Sequence, residues 1–147
     1  DGSGEVLLAR RNDALQFMGG HHVFPGGRVD DDDDPAWVDG IDDPALAKSI
    51  YAAAREIFEE TGILCVREVP EDLGALHDLR RALLGKEIRF AQILDRFSLR
   101  VPGERFIFAG EWVTPPFSPI RFLTHYFIYE YDGPRYERVL PEAVSKW

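Results

Sequence analysis

The chain has 147 residues, which fits one domain at about 100–200 residues per domain, and its 45% hydrophobic and 29% charged residues exclude wholesale disorder. Its formal net charge of −9 argues against a nucleic-acid or anionic-membrane surface, and eight aspartates between residues 30 and 43 carry nearly all of that excess. No apolar run approaches the ~18 residues of a membrane span, and the single cysteine, Cys65, cannot form an internal disulfide. We therefore expect a cytoplasmic protein.

The N-terminal part of the sequence predicts short extended segments separated by turns. Residues 6–11 predict a strand, and residues 23–24 predict a second short one, which a Pro-Gly-Gly turn at residues 25–27 interrupts. Residues 30–44 form a low-complexity stretch of Asp, Pro and Gly. This composition predicts an exposed loop.

A long helix is expected after that loop. Asp43 is a candidate N-cap, and Pro44 occupies the first helical position. The helical periodicity continues to about Thr61, and Gly62 is typical of a helix end. Residues 63–66 then predict a short buried strand.

The C-terminal half predicts two further helices and then strands. Residues 71–97 carry two apolar stripes at helical spacing, which indicate two helices that meet near Gly85. Residues 106–113 and 122–131 are rich in aromatic and β-branched residues and predict strands. A turn signal follows, and residues 135–140 are a candidate hairpin partner.

The long helix concentrates acidic residues on one side. At about 100° per residue, Glu60 and Glu59 lie about 40° and 60° to either side of Glu56. Like charges at these spacings destabilise a helix unless a cation relieves the repulsion, and carboxylate oxygens suit Mg²⁺ or Mn²⁺. Arg55, four residues before Glu59, can orient one carboxylate. A solvated acidic helix face is the alternative that the glutamates alone leave open.

The same helix carries part of a known signature. It resembles the Nudix box, in which Arg-Glu-apolar-x-Glu-Glu-x-Gly-apolar follows a Pro-Gly-Gly turn. The positions that match the second half of the box are Arg55, Glu56, Ile57, Glu59, Glu60, Gly62 and Ile63. Residues 24–27, Phe-Pro-Gly-Gly, resemble the turn. The combination is far more specific than a lone glycine motif.

Two features depart from the usual box. The interval between Gly27 and Arg55 is longer than usual, and we assign the excess to an acidic loop insertion at residues 30–44. The upstream glutamate of the box would fall at Ala47, so that carboxylate is absent. The resemblance then places the metal site on the three helix glutamates, together with the carbonyl of Gly27.

Within the superfamily, the chain is most similar to the peroxisomal-type coenzyme A diphosphatase branch and its bacterial relatives. That likeness is carried by residues 24–27 followed by Asp30, by the helices at residues 71–98, and by Trp-Val-Thr-Pro at residues 112–115. The positions that fit a coenzyme A signature are Leu7, Leu8, Arg11, Gly20 and residues 24–27. The positions that depart from it are Ala9, Asn12 and Gln16.

The resemblance implies an α/β protein with the Nudix fold, an α/β/α sandwich with a mixed sheet and an extra helical insertion at residues 71–98. It implies a single Nudix domain over residues 1–147, and we expect the chain ends to be truncated. The implied activity is Mg²⁺- or Mn²⁺-dependent hydrolysis of the diphosphate that links a nucleoside to another moiety. Coenzyme A or acyl-CoA is the favoured substrate. ADP-ribose, NADH or a dinucleotide is the alternative, and a nucleotide-sensing module without catalysis is a third interpretation.

The resemblance also implies roles for particular residues. The expected catalytic residues are Arg55, Glu56, Glu59 and Glu60. The expected metal ligands are Glu56, Glu59, Glu60 and Gly27. The expected substrate-binding residues are Arg11, His22, Gly26, Gly27 and Arg28. We expect a small-molecule nucleotide ligand and no nucleic-acid or membrane partner, and residues 71–97 are a candidate lid or homodimer face.

Glutamates and aromatic residues in the C-terminal half are candidates for functional roles, and each also has a structural interpretation. We expect the general base to be one of the helix glutamates or a glutamate later in the chain. The later candidates are Glu111, Glu130 and Glu137. An exposed strand residue without a catalytic role is the alternative interpretation of each of these. Four aromatic residues are candidates for stacking on adenine: Trp112, Phe117, Phe122 and Tyr126. Packing in the hydrophobic core is the alternative role for each of them. His77 and His125 are interpreted as structural.

Overall fold

The computed structural model describes residues 5–10, 13, 20–117 and 121–132. The helices in these ranges are α1 (Pro44–Thr61), α2 (Leu73–Leu84) and α3 (Phe90–Arg96). The strands in these ranges are β1 (Ala9–Arg10), β2 (His22–Val23), β3 (Val38–Asp39), β4 (Val101–Pro102), β5 (Phe106–Val113) and β6 (Leu123–Tyr129). The mixed α/β class that the sequence predicts is confirmed. No helix within the described ranges combines the length and apolar character that crossing a membrane requires.

The strands of the described residues form three pairs. β1 and β2 are antiparallel, β3 and β4 are parallel, and β5 and β6 are antiparallel with an irregular register between Phe108 and Gly110. Parallel and antiparallel pairing therefore both occur among the described strands, in separate pairs. The predicted strand at residues 63–66 is wrong, because this segment is largely buried yet pairs with no strand of the described part. A short apolar run does not distinguish a buried strand from other buried backbone.

α1 begins and ends where the sequence predicts. The Asp43 carboxylate accepts a hydrogen bond of 2.9 Å from the backbone N–H of Ala45, and Pro44 is the first helical residue. Gly62 has a φ of 81°, a left-handed conformation that favours glycine, and its N–H donates to the carbonyl of Phe58. The caps fix the extent of the helix, and the burial of Tyr51 and Phe58 fixes which face its glutamates occupy.

The hydrophobic core joins α1 to the two helices that follow it. Tyr51 and Phe58 of α1 place their rings 5.5 and 5.9 Å from the ring of Phe90 in α3. The connection between α2 and α3 lies at Gly85, as predicted. Leu73, from the predicted apolar stripe, is exposed because it is the first residue of α2. The helical insertion is therefore held on the side of α1 that faces the core.

The β5–β6 pair packs only one of its faces on the core. Phe106 contacts Tyr129 of the neighbouring strand with ring centroids 4.8 Å apart, and the Tyr129 hydroxyl donates to the carbonyl of Val66. On the other face, Ile107 and Ile128 lie opposite each other and are exposed. The candidate hairpin partner at residues 135–140 lies outside the described residues.

The acidic insertion is not the uniformly exposed loop that its composition predicts. It contains a short 3-10 helix (Pro35–Trp37), and Val38 pairs with Val101 in the parallel β3–β4 ladder. Val38 and Asp33 are buried. The composition of this segment cannot predict these contacts, because the residues that Val38 and Asp33 contact are far away along the chain.

Candidate functional site

Three glutamates of α1 form the floor of one pocket. Glu56 and Glu60 are buried, whereas the side chain of Glu59 is 24% exposed. The pocket has a volume of about 520 Å³ and is lined by α1, the segment that follows Gly27, and the connection from α2 to α3. We call Glu56, Glu59 and Glu60 the carboxylate floor.

The Pro-Gly-Gly turn lies directly against this floor. The backbone N–H of Gly26 donates a hydrogen bond of 3.0 Å to Oε2 of Glu60. A Cβ atom on Gly27 would overlap the carboxylate of Glu56, so a side chain at position 27 requires Glu56 to move. The two halves of the sequence signature, 28 positions apart, therefore meet in space, and the glycines are needed for that close approach.

Arg55 organises the floor from one side. Its Nη1 donates to Oε1 of Glu56 at 2.7 Å and to Oε1 of Glu59 at 3.2 Å, and its Nη2 donates to the carbonyl of Arg28 at 2.8 Å. Nε and Nη2 donate to the two oxygens of Asp33 at 2.7 and 3.1 Å. Burial alone lowers the pKa of Arg55, but hydrogen bonds and charge from Asp33 and Glu56 outweigh it and raise the pKa. Arg55 is thus charged and held in a single orientation.

Glu56 has a perturbed ionisation. Burial, together with the negative charges of Glu59 and Asp30, raises its pKa to about 6 against the lowering effect of Arg55. A carboxylate that is this difficult to ionise is stabilised by any additional cation placed beside it. The electrostatics of the floor therefore favour the binding of positive charge.

Asp33 is a site residue that sequence reasoning missed. It lies in the acidic insertion, its side chain is 2% exposed, and its Oδ2 also accepts a hydrogen bond from the backbone N–H of Asp30 at 2.7 Å. Ala47, where the box glutamate is absent, is buried in the core. The insertion therefore provides a buried carboxylate for Arg55. The run of five aspartates is visible in the sequence, but nothing in it marks the fourth as the buried one.

Arg80 is a second residue that sequence reasoning missed. This α2 residue is 3% exposed, and burial lowers its pKa. Its Nε donates to the carbonyl of Phe58 at 2.9 Å, and its Nη2 donates to the carbonyl of Glu59 at 2.7 Å. These carbonyls belong to the last turn of α1, where a cation also complements the helix dipole. Arg80 thus fixes the backbone that carries the floor.

The chemistry of the floor fits a divalent metal ion. Three carboxylates that line one pocket are the hard oxygen donors that Mg²⁺ and Mn²⁺ prefer. In the described residues, no three Asp, Glu, His or Cys side chains converge on a common point as they stand. Arg55 and the Gly26 N–H hold the glutamate oxygens instead, so metal binding requires glutamate side chains to turn.

The other expected site residues are dispersed. Arg28 lines the pocket, whereas His22 is exposed in β2 and does not. Arg11 lies outside the described residues, as does Glu137. Glu111 and Glu130 are exposed and do not line this pocket, and Glu111 faces His125 at 3.8 Å. The adenine-stacking candidates are likewise exposed away from the pocket; they are Trp112, Phe117, Phe122 and Tyr126.

The two histidines interpreted as structural have no contact with the floor. His125 contacts Ser49 on α1, with Nδ1 and Oγ 3.2 Å apart, and packs edge-on against Phe108 and Phe127. His77 is exposed on α2. The contacts of His125 agree with the structural interpretation, whereas the structural role of His77 stays a prediction.

Comparison with known proteins identifies the family. The profile of the NUDIX domain matches residues 1–115. The chain belongs to the NUDIX domain family. A Caenorhabditis elegans protein named "Putative nudix hydrolase 7" is 28% identical to this NUDIX chain over 127 residues, which are 84% of this chain and 38% of that protein.

A solved structure supports the same assignment. The crystal structure of a NUDIX hydrolase from Alicyclobacillus acidocaldarius matches this NUDIX chain with a TM-score of 0.63 and 25% identity, over 90% of this chain and 65% of that one. The likeness confirms the predicted Nudix fold. The chain spans less than two thirds of the length of both relatives.

Proposed function

We propose that the protein is a metal-dependent Nudix pyrophosphohydrolase, which cleaves the diphosphate between a nucleoside and another moiety. One observation carries the proposal: the carboxylate floor and Arg55 line a single pocket, and the Gly26-Gly27 turn packs directly against Glu56 and Glu60 of that floor. A solvated acidic helix face, the alternative interpretation, does not require two of three glutamates to be buried against a glycine turn.

The residues of the pocket have separable roles in this proposal. Glu56, Glu59 and Glu60, with the carbonyl of Gly27, hold the metal. A bound Mg²⁺ or Mn²⁺ supplies neutralisation of phosphate charge and lowers the pKa of water. Arg55 keeps Glu56 and Glu59 oriented and balances their charge before the metal binds.

The proton of the attacking water needs an acceptor close to the phosphorus. A base must reach that proton by a direct hydrogen bond or through one water molecule. Among the described candidates, Glu111 and Glu130 are outside the pocket, so we assign the base to one of the three floor glutamates rather than to either of these. Arg28, exposed at the edge of the pocket, and the backbone of Gly26 and Gly27 bind the substrate phosphates.

Coenzyme A or acyl-CoA is the substrate class that we favour. The support is the sequence likeness to the coenzyme A diphosphatase branch, including the Phe-Pro-Gly-Gly turn and the helices α2 and α3 that follow the box. ADP-ribose, NADH or a dinucleotide is the second candidate, because the floor recognises the diphosphate that all of these molecules share. A cytoplasmic location and a homodimer remain predictions.

Product masses from a substrate panel test the proposal. Coenzyme A, ADP-ribose, NADH and a diadenosine polyphosphate are each incubated with the protein and Mg²⁺ or Mn²⁺. Release of 3′,5′-ADP and phosphopantetheine from coenzyme A, lost in Glu60→Gln, is the expected result. If only another member of the panel is cleaved, the pyrophosphohydrolase activity stands and the assignment to the coenzyme A diphosphatase branch is rejected. Binding without cleavage of any member supports the sensing module instead.

A further inference from the structure

The edge of the active-site pocket carries cations from an element outside the Nudix signature. Lys86 and Arg89 lie in the turn between α2 and α3, which we call the rim turn (residues 85–89), and both line the pocket. The carboxylate floor belongs to α1. Besides Arg28 and Arg55, the pocket therefore has two cations that come from a different element than the carboxylate floor.

These two cations are available to a ligand. Within the described ranges, the Lys86 ammonium has no hydrogen bond or ion pair. Arg89 has one ionic contact, in which its Nε lies 3.4 Å from Oδ2 of Asp32, and both side chains of that pair are more than half exposed. Exposed pairs of this kind are weak, so an incoming anion can displace Asp32 from Arg89.

The rim turn has a defined backbone. Lys86 has a φ of 60°, a left-handed conformation that few residues other than glycine adopt. Its N–H donates to the carbonyl of Leu83, and the N–H of Glu87 donates to the carbonyl of Ala82, both at 2.9 Å. Hydrogen bonds of this pattern close the end of α2. The position of Lys86 is thus set by the fold.

The rim turn is also anchored to the floor. Arg80, one and a half turns earlier in α2, donates to the carbonyls of Phe58 and Glu59 on α1. On the other side of the rim turn, Phe90 is buried against Phe58. Both ends of the rim turn are therefore fixed relative to the glutamates, as a subsite for a second group of the same ligand requires.

We propose that Lys86 and Arg89 form a binding subsite for a phosphate monoester of the substrate that is separate from the diphosphate being cleaved. The proposal rests on the proposed function, which places the reacting diphosphate on the floor. A phosphate monoester carries close to two negative charges and matches two cations, one of them an arginine that can bind it bidentately. The substrate class is then a nucleoside diphosphate derivative with an additional phosphate.

Substrate pairs that differ by one phosphate test the subsite. The kcat/KM ratio is measured for coenzyme A against dephospho-coenzyme A and for NADPH against NADH. We expect the wild type to favour a phosphorylated member by about tenfold, and the Lys86→Gln/Arg89→Gln double variant to lose that preference through KM. Arg81→Gln, an exposed charge loss on α2 outside the pocket, is the matched control and should keep the preference.

A binding measurement separates this proposal from the proposed function. Calorimetric titration with adenosine 3′,5′-bisphosphate, adenosine 2′,5′-bisphosphate and AMP requires no hydrolysis. Tighter binding of a bisphosphate, lost in the double variant and kept in Arg81→Gln, supports the subsite even if no diphosphate is cleaved. Equal affinities in the wild type, or a preference that survives in the double variant, overturn it. If both members of each pair are cleaved equally well, the proposed subsite is wrong, whereas the proposed pyrophosphohydrolase activity is confirmed.

Discussion

Replacing Asp33 by asparagine tests whether the acidic insertion stabilises the site through its ion pair with Arg55. The substitution preserves shape but removes the buried charge that faces Arg55 at 2.7 and 3.1 Å. Removing one partner of a buried ion pair costs about 3–5 kcal/mol. Arg55 keeps Glu56, Glu59 and the carbonyl of Arg28, so we expect the lower end, about 3 kcal/mol. For a domain of this size, such a loss lowers the Tm by roughly 6–12 °C.

The neighbouring Asp31 provides a matched control for Asp33→Asn. Asp31 is exposed, so Asp31→Asn should change the free energy of unfolding by no more than about 0.5 kcal/mol. Both variants are measured by urea denaturation and by thermal unfolding. If Asp33→Asn is no more destabilising than Asp31→Asn, the insertion does not anchor Arg55, and the role given to Asp33 is wrong.

Three further predictions follow from the same contacts. Gly27→Ala displaces the Glu56 carboxylate and should lower kcat for diphosphate cleavage by roughly 10²-fold, whereas an unchanged kcat would contradict the close packing. Arg80→Met leaves carbonyls of α1 without hydrogen-bond donors and should lower the free energy of unfolding, measured by denaturation, by about 2–3 kcal/mol. The control Arg81→Met should change it by no more than about 0.5 kcal/mol. Equal losses in the two variants would show that Arg80 does not anchor α1. Without metal, the raised pKa of Glu56 means that the folded state retains its proton at higher pH than the unfolded chain. Stability relative to Glu56→Gln should therefore fall by about 2 kcal/mol as pH rises from about 4.5 to 6 and then level off, and parallel pH profiles of the two proteins would contradict this.

The sequence predicts the long helix well because its signals are local. Asp43, Pro44 and Gly62 mark the ends of α1, and the spacing of the glutamates places them on one face. The sequence also predicts β5 with its observed bounds, because eight residues are enough for a strand pattern to be recognised. Local capping and periodicity were enough for these elements.

The contacts that complete the site are not local, and the sequence does not reveal them. Asp33 reaches Arg55 across 22 positions, and Arg80 reaches Phe58 across 22 positions. β3 and β4 pair across more than 60 positions with two residues each, which leaves no periodicity to recognise. A buried charged residue in an otherwise polar stretch has the same composition as an exposed one. Such residues become visible only when the fold brings their partners together.

In the proposed function, the carboxylate floor of α1 performs metal-dependent diphosphate hydrolysis. The most direct test compares cleavage of coenzyme A and ADP-ribose in Mg²⁺ by the wild type, Glu60→Gln and Glu68→Gln, with product masses read at each time point. Glu60 is buried against the Gly26 N–H, whereas Glu68 is exposed outside the pocket. We expect the wild type and Glu68→Gln to cleave at least one substrate at similar rates, and Glu60→Gln to be slower by roughly 10³-fold. Equal rates for the two variants would show that Glu60 has no part in the hydrolysis.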